Sequence, residues 1–291
     1  MNWFKRSQSS MINYYPIGLD DSLLLSELLS IGSFSYMPNS GNMGDMLIAE
    51  STLRWFDKYD LRWSRLQEDQ WPEVFVYGGG GAWISNWVDG LHHVMNIMQK
   101  AKKIVILPSS FDDVPDFIKI LDERFVVFCR EKKSFDYLLS QNTKAKILLD
   151  HDMAFRLLGN LQSNIKAPTK KLKKLSKNLL KKVNHLSGDV CLFRMDSESL
   201  GHYGTDCDLS DALGWFSSYE AREVISFAVN FMFEVLDKFQ TVKTDRLHIA
   251  IAAALLGKDV VMYDNSYGKI SGVYSQTLSS LTNVQLYNRK G

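Results

Sequence analysis

The stretch Phe239-Gln-Thr-Val-Lys-Thr-Asp-Arg-Leu-His-Ile-Ala-Ile-Ala-Ala-Ala-Leu-Leu-Gly-Lys-Asp-Val-Val-Met-Tyr263 reads as strand, polar turn, helix and strand. Phe239 to Val242 and Val260 to Tyr263 are short runs rich in β-branched and aromatic residues. Between them, Ile249 to Leu256 is a small-residue apolar helix, followed by Gly257. A helix joining two such strands is the crossover of a parallel sheet. In an open parallel sheet, ligands lie beyond the carboxyl ends of the strands. The polar cluster Lys243 to His248 therefore falls where a site is expected, with His248 in the first turn of a helix that welcomes anions.

The same rhythm recurs along the chain. Further strands are expected at Ile31 to Tyr36, Val74 to Tyr77, Ile104 to Leu107, Phe125 to Cys129, Ile147 to Leu149 and Val190 to Phe193. Helical spacing separates them, as in Met46 to Trp55 and Ala221 to Phe239. The reading is an α/β protein of two Rossmann-like, doubly wound domains facing a cleft, residues 1–164 and 185–291. The last helix is expected to pack back on the N-terminal domain. The 291-residue length suits two domains.

A lysine-rich segment, Ile165 to Val183, joins the halves with eight lysines and no acidic residue. Leu172, Leu175, Leu179 and Leu180 sit at helical spacing, so Lys170 to Lys182 would clothe an amphipathic linker helix (165–184). A solvated interdomain helix and a peripheral contact with anionic lipid headgroups both fit this pattern. Over the whole chain the charges balance to a net +1, which gives no global attraction to nucleic acid. Cys129, Cys191 and Cys207 lack zinc-site spacing and cannot form a full disulfide framework, as expected of a reducing cytoplasm. No exported or membrane-crossing segment is expected, because the longest apolar run has only eight residues.

Several other strand ends carry unusual residues. Asn39-Ser-Gly-Asn-Met-Gly-Asp45 precedes a helix expected from about Met46, with Asn42 and Gly44 in the turn and Asp45 as a potential cap. Gly78 to Gly81 point either to strained backbone or to a ligand approaching the main chain, most directly at Gly79 and Gly80. They do not match the GxGxxG dinucleotide fingerprint, and no acidic residue ends the next strand. Trp83 and Trp87 flank this loop and can serve either as core or as flat faces for a sugar ring. Arg130 emerges at a strand end, where it can fork onto a carboxylate or phosphate or pair with Glu131. Asp150-His-Asp152 has a metal-like spacing, but no third ligand is evident and no metal is expected. Asn265, Ser266, Tyr267 and Lys269 follow the strand ending at Tyr263 and would share a pocket with Arg246 and His248.

Taken in order, GNMGD (41–45), GGGG (78–81), LPSS (107–110), CREKKS (129–134), DHDMA (150–154), TDRLH (244–248), LLGK (255–258) and DNSYGK (264–269) resemble the polysaccharide pyruvyl transferases. The resemblance spans about residues 39–274 and is most specific at TDRLH and DNSYGK. Ser109 and Ile249 stand where the family often has Gln and Gly. It implies a fold similar to the glycosyltransferase B type, with the acceptor on the N-terminal side and the donor on the C-terminal side. It also implies transfer of the enolpyruvyl unit of phosphoenolpyruvate to a sugar of a polysaccharide or its lipid-linked precursor. The product would be a pyruvate ketal, with release of phosphate.

The residues by themselves call for a small polyanion held by Arg side chains and helix N-termini. On the implied chemistry, Arg130, Arg246 and the 265–269 loop hold the donor and His248 is the general acid. Asp45 or Asp152 would be the base, and Asn42, Gly44, Gly79, Gly80, Trp83 and Ser109 would form the acceptor side or its loops. No cofactor is expected beyond the donor substrate. Two rival readings share the fold: a glycosyltransferase using a nucleotide-sugar donor, and a non-catalytic carbohydrate-binding assembly subunit. The protein is expected in the cytoplasm or peripherally on the inner face of the cell membrane.

Overall fold

The structure is a computed structural model that describes residues 10–19, 22–67, 69–84, 89–196, 198–199, 203–264 and 268–287. It is an α/β protein with two parallel sheets. The first half contains strands β1 (Met11–Ile12), β2 (Phe34–Met37), β3 (Trp63–Arg65), β4 (Val74–Tyr77), β5 (Gly80–Ile84), β6 (Lys103–Asp112), β7 (Phe125–Cys129), β8 (Lys146–Leu149) and β9 (Leu161–Gln162). Among them run helices α1 (Ser22–Ser30), α2 (Met43–Lys58), α3 (Asp89–Met98), α4 (Pro115–Ile120) and α5 (Lys132–Ser140). The second half contains α6 (Lys170–Val183), β10 (Gly188–Cys191), α7 (Arg222–Leu236), β11 (Phe239–Thr244), α8 (Leu247–Leu255), β12 (Asp259–Tyr263), α9 (Lys269–Gln276) and β13 (Val284–Tyr287).

The larger sheet has the order β3-β2-β4-β6-β7-β8, with β5 beside β6, and all its pairs are parallel. The order in which strands are added to it reverses between β2 and β4, and that switch point is where a doubly wound sheet opens a crevice. Alternate residues face opposite sides. Val76, Val105, Leu107, Val126 and Phe128 join one apolar cluster with α1 and α2, while Phe75, Ile104, Ile106 and Val127 join a second with α3, α4 and α5. Burial on both faces explains why these strands read as unbroken apolar runs.

The smaller sheet has the order β10-β11-β12-β13, again parallel. Val190, Val242, Val260, Met262 and Val284 face the apolar cluster shared with α7 and α8. The opposite face carries Asp189, Thr241, Lys243, Val261, Tyr263 and Gln285, all half-buried or exposed. Among the described residues, then, helices cover both faces of the larger sheet and one face of the smaller. Helix α2 packs against α7, so a single core runs from the first sheet through these helices to the second. Helix α9 lies beside α5.

In α6 the apolar stripe turns inward: Leu172, Leu179 and Val183 are buried, while Lys170, Lys171, Lys173, Lys174, Lys177, Lys181 and Lys182 are exposed. Among the described residues, no helix is long and apolar enough to cross a membrane.

Two local differences from the sequence reading have physical causes. Helix α2 starts at Met43, because Asn42 and Asp45 together form a capping box: the Asn42 side chain accepts from Gly44 N–H (2.9 Å) and Asp45 accepts from Asn42 N–H (3.0 Å). The four glycines do not form an open loop, since Gly80 already starts β5. A Cβ on Gly79 would lie 2.4 Å from the Pro108 carbonyl oxygen and one on Gly78 2.7 Å from Asn39 N, so close packing of neighbouring backbone requires glycine there.

Candidate functional site

A cavity of about 300 Å³ lies at the carboxyl ends of both sheets. The first half contributes Asn39, Ser40, Asn42, Asp45, Gly81 and Arg130; the second contributes Arg194, Asp196, Glu198, Asp245, Arg246, His248 and Lys269, with Asp211 and Trp215 from the loop before α7. That loop is fastened to the turn between β2 and α2. Gly41 and Phe216 exchange two backbone hydrogen bonds (2.9 and 2.7 Å), Met43 N–H donates to Ser210 O (3.0 Å), and the Asn42 amide donates to Asp211 (2.9 Å).

His248 is the second residue of α8 and stands opposite the first turn of α2. A Cβ at Gly44 would come within 2.6 Å of its Nδ1, so only glycine lets the two helix ends meet this closely. Its Nε2 is 3.6 Å from Asp152 and has no hydrogen-bond partner among the described residues. Asp152 follows β8, is fully buried, and accepts from Ala154 N–H (2.8 Å) and Arg130 (2.7 Å). Burial alone would raise its pKa, but the Arg130 guanidinium and His248 outweigh burial and hold the carboxyl well below the usual range. Asp45 differs: burial raises its pKa, only partly offset by His248, Asn42 and Asn39. Its second oxygen accepts from the Asn39 amide (3.2 Å), and Tyr77 in turn donates to the Asn39 side chain (2.8 Å).

Arg130 is buried and oriented on three sides. Its N–H donates to Ser109 O (3.0 Å), Nε to Ser110 Oγ (2.8 Å) and Nη1 to Asp152. The neighbouring Glu131 caps α5 through Ser134 N–H (2.7 Å), so the Arg130–Glu131 alternative is not adopted. Arg246 sits at the N-cap of α8 among Asp196 (2.9 Å), Asp208 and Asp211 (2.6 Å). Those three carboxylates cluster closely enough to hold a cation, and here the guanidinium lies among them, its pKa raised by Asp208 and its neighbours despite burial. Lys269, the first residue of α9, donates to Glu198 (2.9 Å). Burial lowers its pKa to about 8, against the pull of Glu198. Glu198 also pairs with Arg194; these two cations overcome burial and bring its pKa down to about 2.

Other expected residues go elsewhere. Trp83 is buried at 1% exposure among Tyr77, Phe111 and Phe117, so it serves the core and offers no face to a sugar. The Ser109 hydroxyl turns back to Leu107 O (2.8 Å). Asp150 pairs with Arg156 (2.6 Å), and His151 meets Thr277 (2.8 Å), so the DHD triplet diverges and gathers no ligand set. Trp87, Asn265, Ser266 and Tyr267 lie outside the described residues. Arg194 and Glu198 were missed, although Arg194 ends the apolar run that continues from β10 through Leu192 and Phe193, as Arg130 ends that of β7. Trp215, in a loop without periodicity, left no comparable signal.

Comparisons with known proteins identify the family. The family model "Polysaccharide pyruvyl transferase" matches residues 42–267, the span from the α2 cap to the loop after β12. The chain is similar to the "putative pyruvyl transferase EpsO" of Bacillus subtilis (strain 168), with 25% identity covering 86% of each chain. It is also similar to the crystal structure of a functionally uncharacterized protein, KP1_0663, from Klebsiella pneumoniae subsp. pneumoniae NTUH-K2044. That match has a TM-score of 0.73 and 31% identity, covering 92% of this chain and 97% of the other. With the matching model covering most of the chain and its span holding nearly every wall of the cavity, the chain belongs to the polysaccharide pyruvyl transferase family.

Proposed function

We propose that the protein transfers the pyruvyl unit of phosphoenolpyruvate to two hydroxyls of a sugar in a polysaccharide or its lipid-linked precursor, forming a pyruvate ketal and releasing phosphate. The observation that carries this reading is the meeting of His248 with the cationic side chains Arg130, Arg194, Arg246 and Lys269 in one small cavity. Helix α8 begins there without a side-chain cap, unlike α2, so its first-turn N–H groups are available to the donor's phosphate and carboxylate. Two parallel-sheet domains, 1–164 and 185–291, arranged in the glycosyltransferase B manner with 165–184 between them, would place the donor on the second sheet.

In this mechanism His248 protonates the methylene carbon of the enol, and C2 becomes electrophilic. One sugar hydroxyl adds to C2, the phosphate leaves with the C2–O bonding pair, and the second hydroxyl closes the ketal. Atoms balance as one donor and one diol giving one ketal and one phosphate. Asp152, held ionised by Arg130, supports the imidazolium and is not the base. Asp45 is the base, since burial raises its affinity for a proton. The protein cations can neutralise the donor, and the reading includes no cofactor.

A ligand that binds only the folded state raises its apparent stability. Phosphoenolpyruvate at 100 times its dissociation constant should therefore add about 2.7 kcal/mol and raise Tm by several degrees, whereas a panel of nucleotide sugars should leave Tm unchanged. The reverse pattern would assign the protein to nucleotide-sugar transfer.

A further inference from the structure

Beside the cavity runs a second, larger groove of about 890 Å³, between α6 and residues 195–196 and 205–212. Asp196 and Asp211 line both spaces, so the groove opens into the cavity at these two carboxylates. Its walls include Asn178 and Lys182 from α6 and Met195 and Asp206 from the facing segment. Met195 is 75% exposed, and at the cavity mouth Trp215 is 54% exposed, although the other lining residues there are mostly charged.

Exposed apolar faces beside carboxylates and an amide suit a ligand with C–H faces and hydroxyl edges: the rings lie on Trp and Met while the hydroxyls donate to carboxylate oxygens. Asp196, Asp208 and Asp211 already accept from Arg246, and each carboxylate has capacity for further donors. A purely anionic ligand would meet these carboxylates as like charges.

We infer that this groove is the acceptor subsite, in the second half of the chain and not on the N-terminal side that the family resemblance implies: the reacting sugar stacks on Trp215 at the cavity mouth, and the following sugar units of the same glycan lie between α6 and residues 195–196 and 205–212. This rests on the pyruvyl-transfer reading only for the role of the reacting sugar; the groove's preference for a glycan of two or more units is tested without turnover.

Calorimetric titration of the full chain with p-nitrophenyl β-galactoside and p-nitrophenyl β-lactoside provides the test. The disaccharide should bind about tenfold more tightly. Asn178→Trp, at an exposed position of α6, should fill the groove and collapse that preference. Trp215→Ala should weaken both ligands about tenfold, with partial recovery in Trp215→Phe. The thermal shift with phosphoenolpyruvate should stay at its wild-type size in Asn178→Trp, whose position lies outside the donor cavity. Equal affinity for the two glycosides, no binding of either, or an unchanged preference in Asn178→Trp would overturn the inference. So would binding to anionic phosphatidylglycerol vesicles that Asn178→Trp abolishes while the glycosides fail to bind. Glycoside binding that survives while phosphoenolpyruvate gives no thermal shift and no phosphate release would instead remove the pyruvyl reading and leave the groove assignment standing.

Discussion

His248 combines features that a structural histidine rarely has: an exposed edge in a cavity, a buried Nε2 without a hydrogen bond among the described residues, and an ionised carboxylate at 3.6 Å. If it is the proton donor, His248→Gln should lower phosphate release from phosphoenolpyruvate about 100- to 10,000-fold while the donor's thermal shift persists. Turnover near wild type would remove it from the mechanism. Lys269 sets a pH limit. Its pKa falls from the usual 10.5 to about 8 on burial, so the unfolded chain holds a proton between these values that the folded chain releases. Below pH 8 the buried ammonium costs stability, and stability recovers as pH rises from about 8 towards 10.5. Donor binding should follow the opposite course, with KM for phosphoenolpyruvate rising above about pH 8. Lys269→Met should flatten that limb; a pH profile unchanged by the substitution would show that the ammonium does not face the donor. His248, Arg130 and Lys269 could all be found from one rule, the strand end. Trp215 and the partners of Arg246 could not, because loop geometry and ion pairing are set by tertiary contacts that leave no periodic trace.

Among the elements, the strands buried on both faces were the easiest to recognise, since β4, β6 and β7 are apolar at consecutive positions. The edge strands stand out less, β3 because it is only three residues long and β13 because Gln285 interrupts its apolar run, and β5 was hidden in a glycine run whose composition suggests a loop. Helix α6 was recognised as an amphipathic helix, but its leucines belong to the core and not to an inserting face. We therefore expect any lipid contact to be electrostatic alone. Co-sedimentation with vesicles containing phosphatidylserine should be lost when ionic strength rises from 0.05 to about 0.5 M, where the screening length falls to a few ångströms. Binding that persists at high salt would require an apolar insertion that α6 cannot supply.

For the whole molecule, a net charge of +1 conceals a separation of charge: lysines on the outside of α6, and ion-paired arginines at the carboxyl ends of two parallel sheets. The α/β class and the parallel sheets were legible from alternation of strand and helix. The one-sided cover of the smaller sheet was not, since half-burial depends on which helices return to pack on it. The central claim is that this geometry builds a pyruvate ketal. Mass spectrometry of glycan incubated with enzyme and phosphoenolpyruvate tests it most directly. The product should be heavier than the acceptor by one pyruvic acid less one water, with one phosphate released for each ketal formed. Unmodified glycan, or a mass gain of one sugar with a nucleotide-sugar donor, would contradict it.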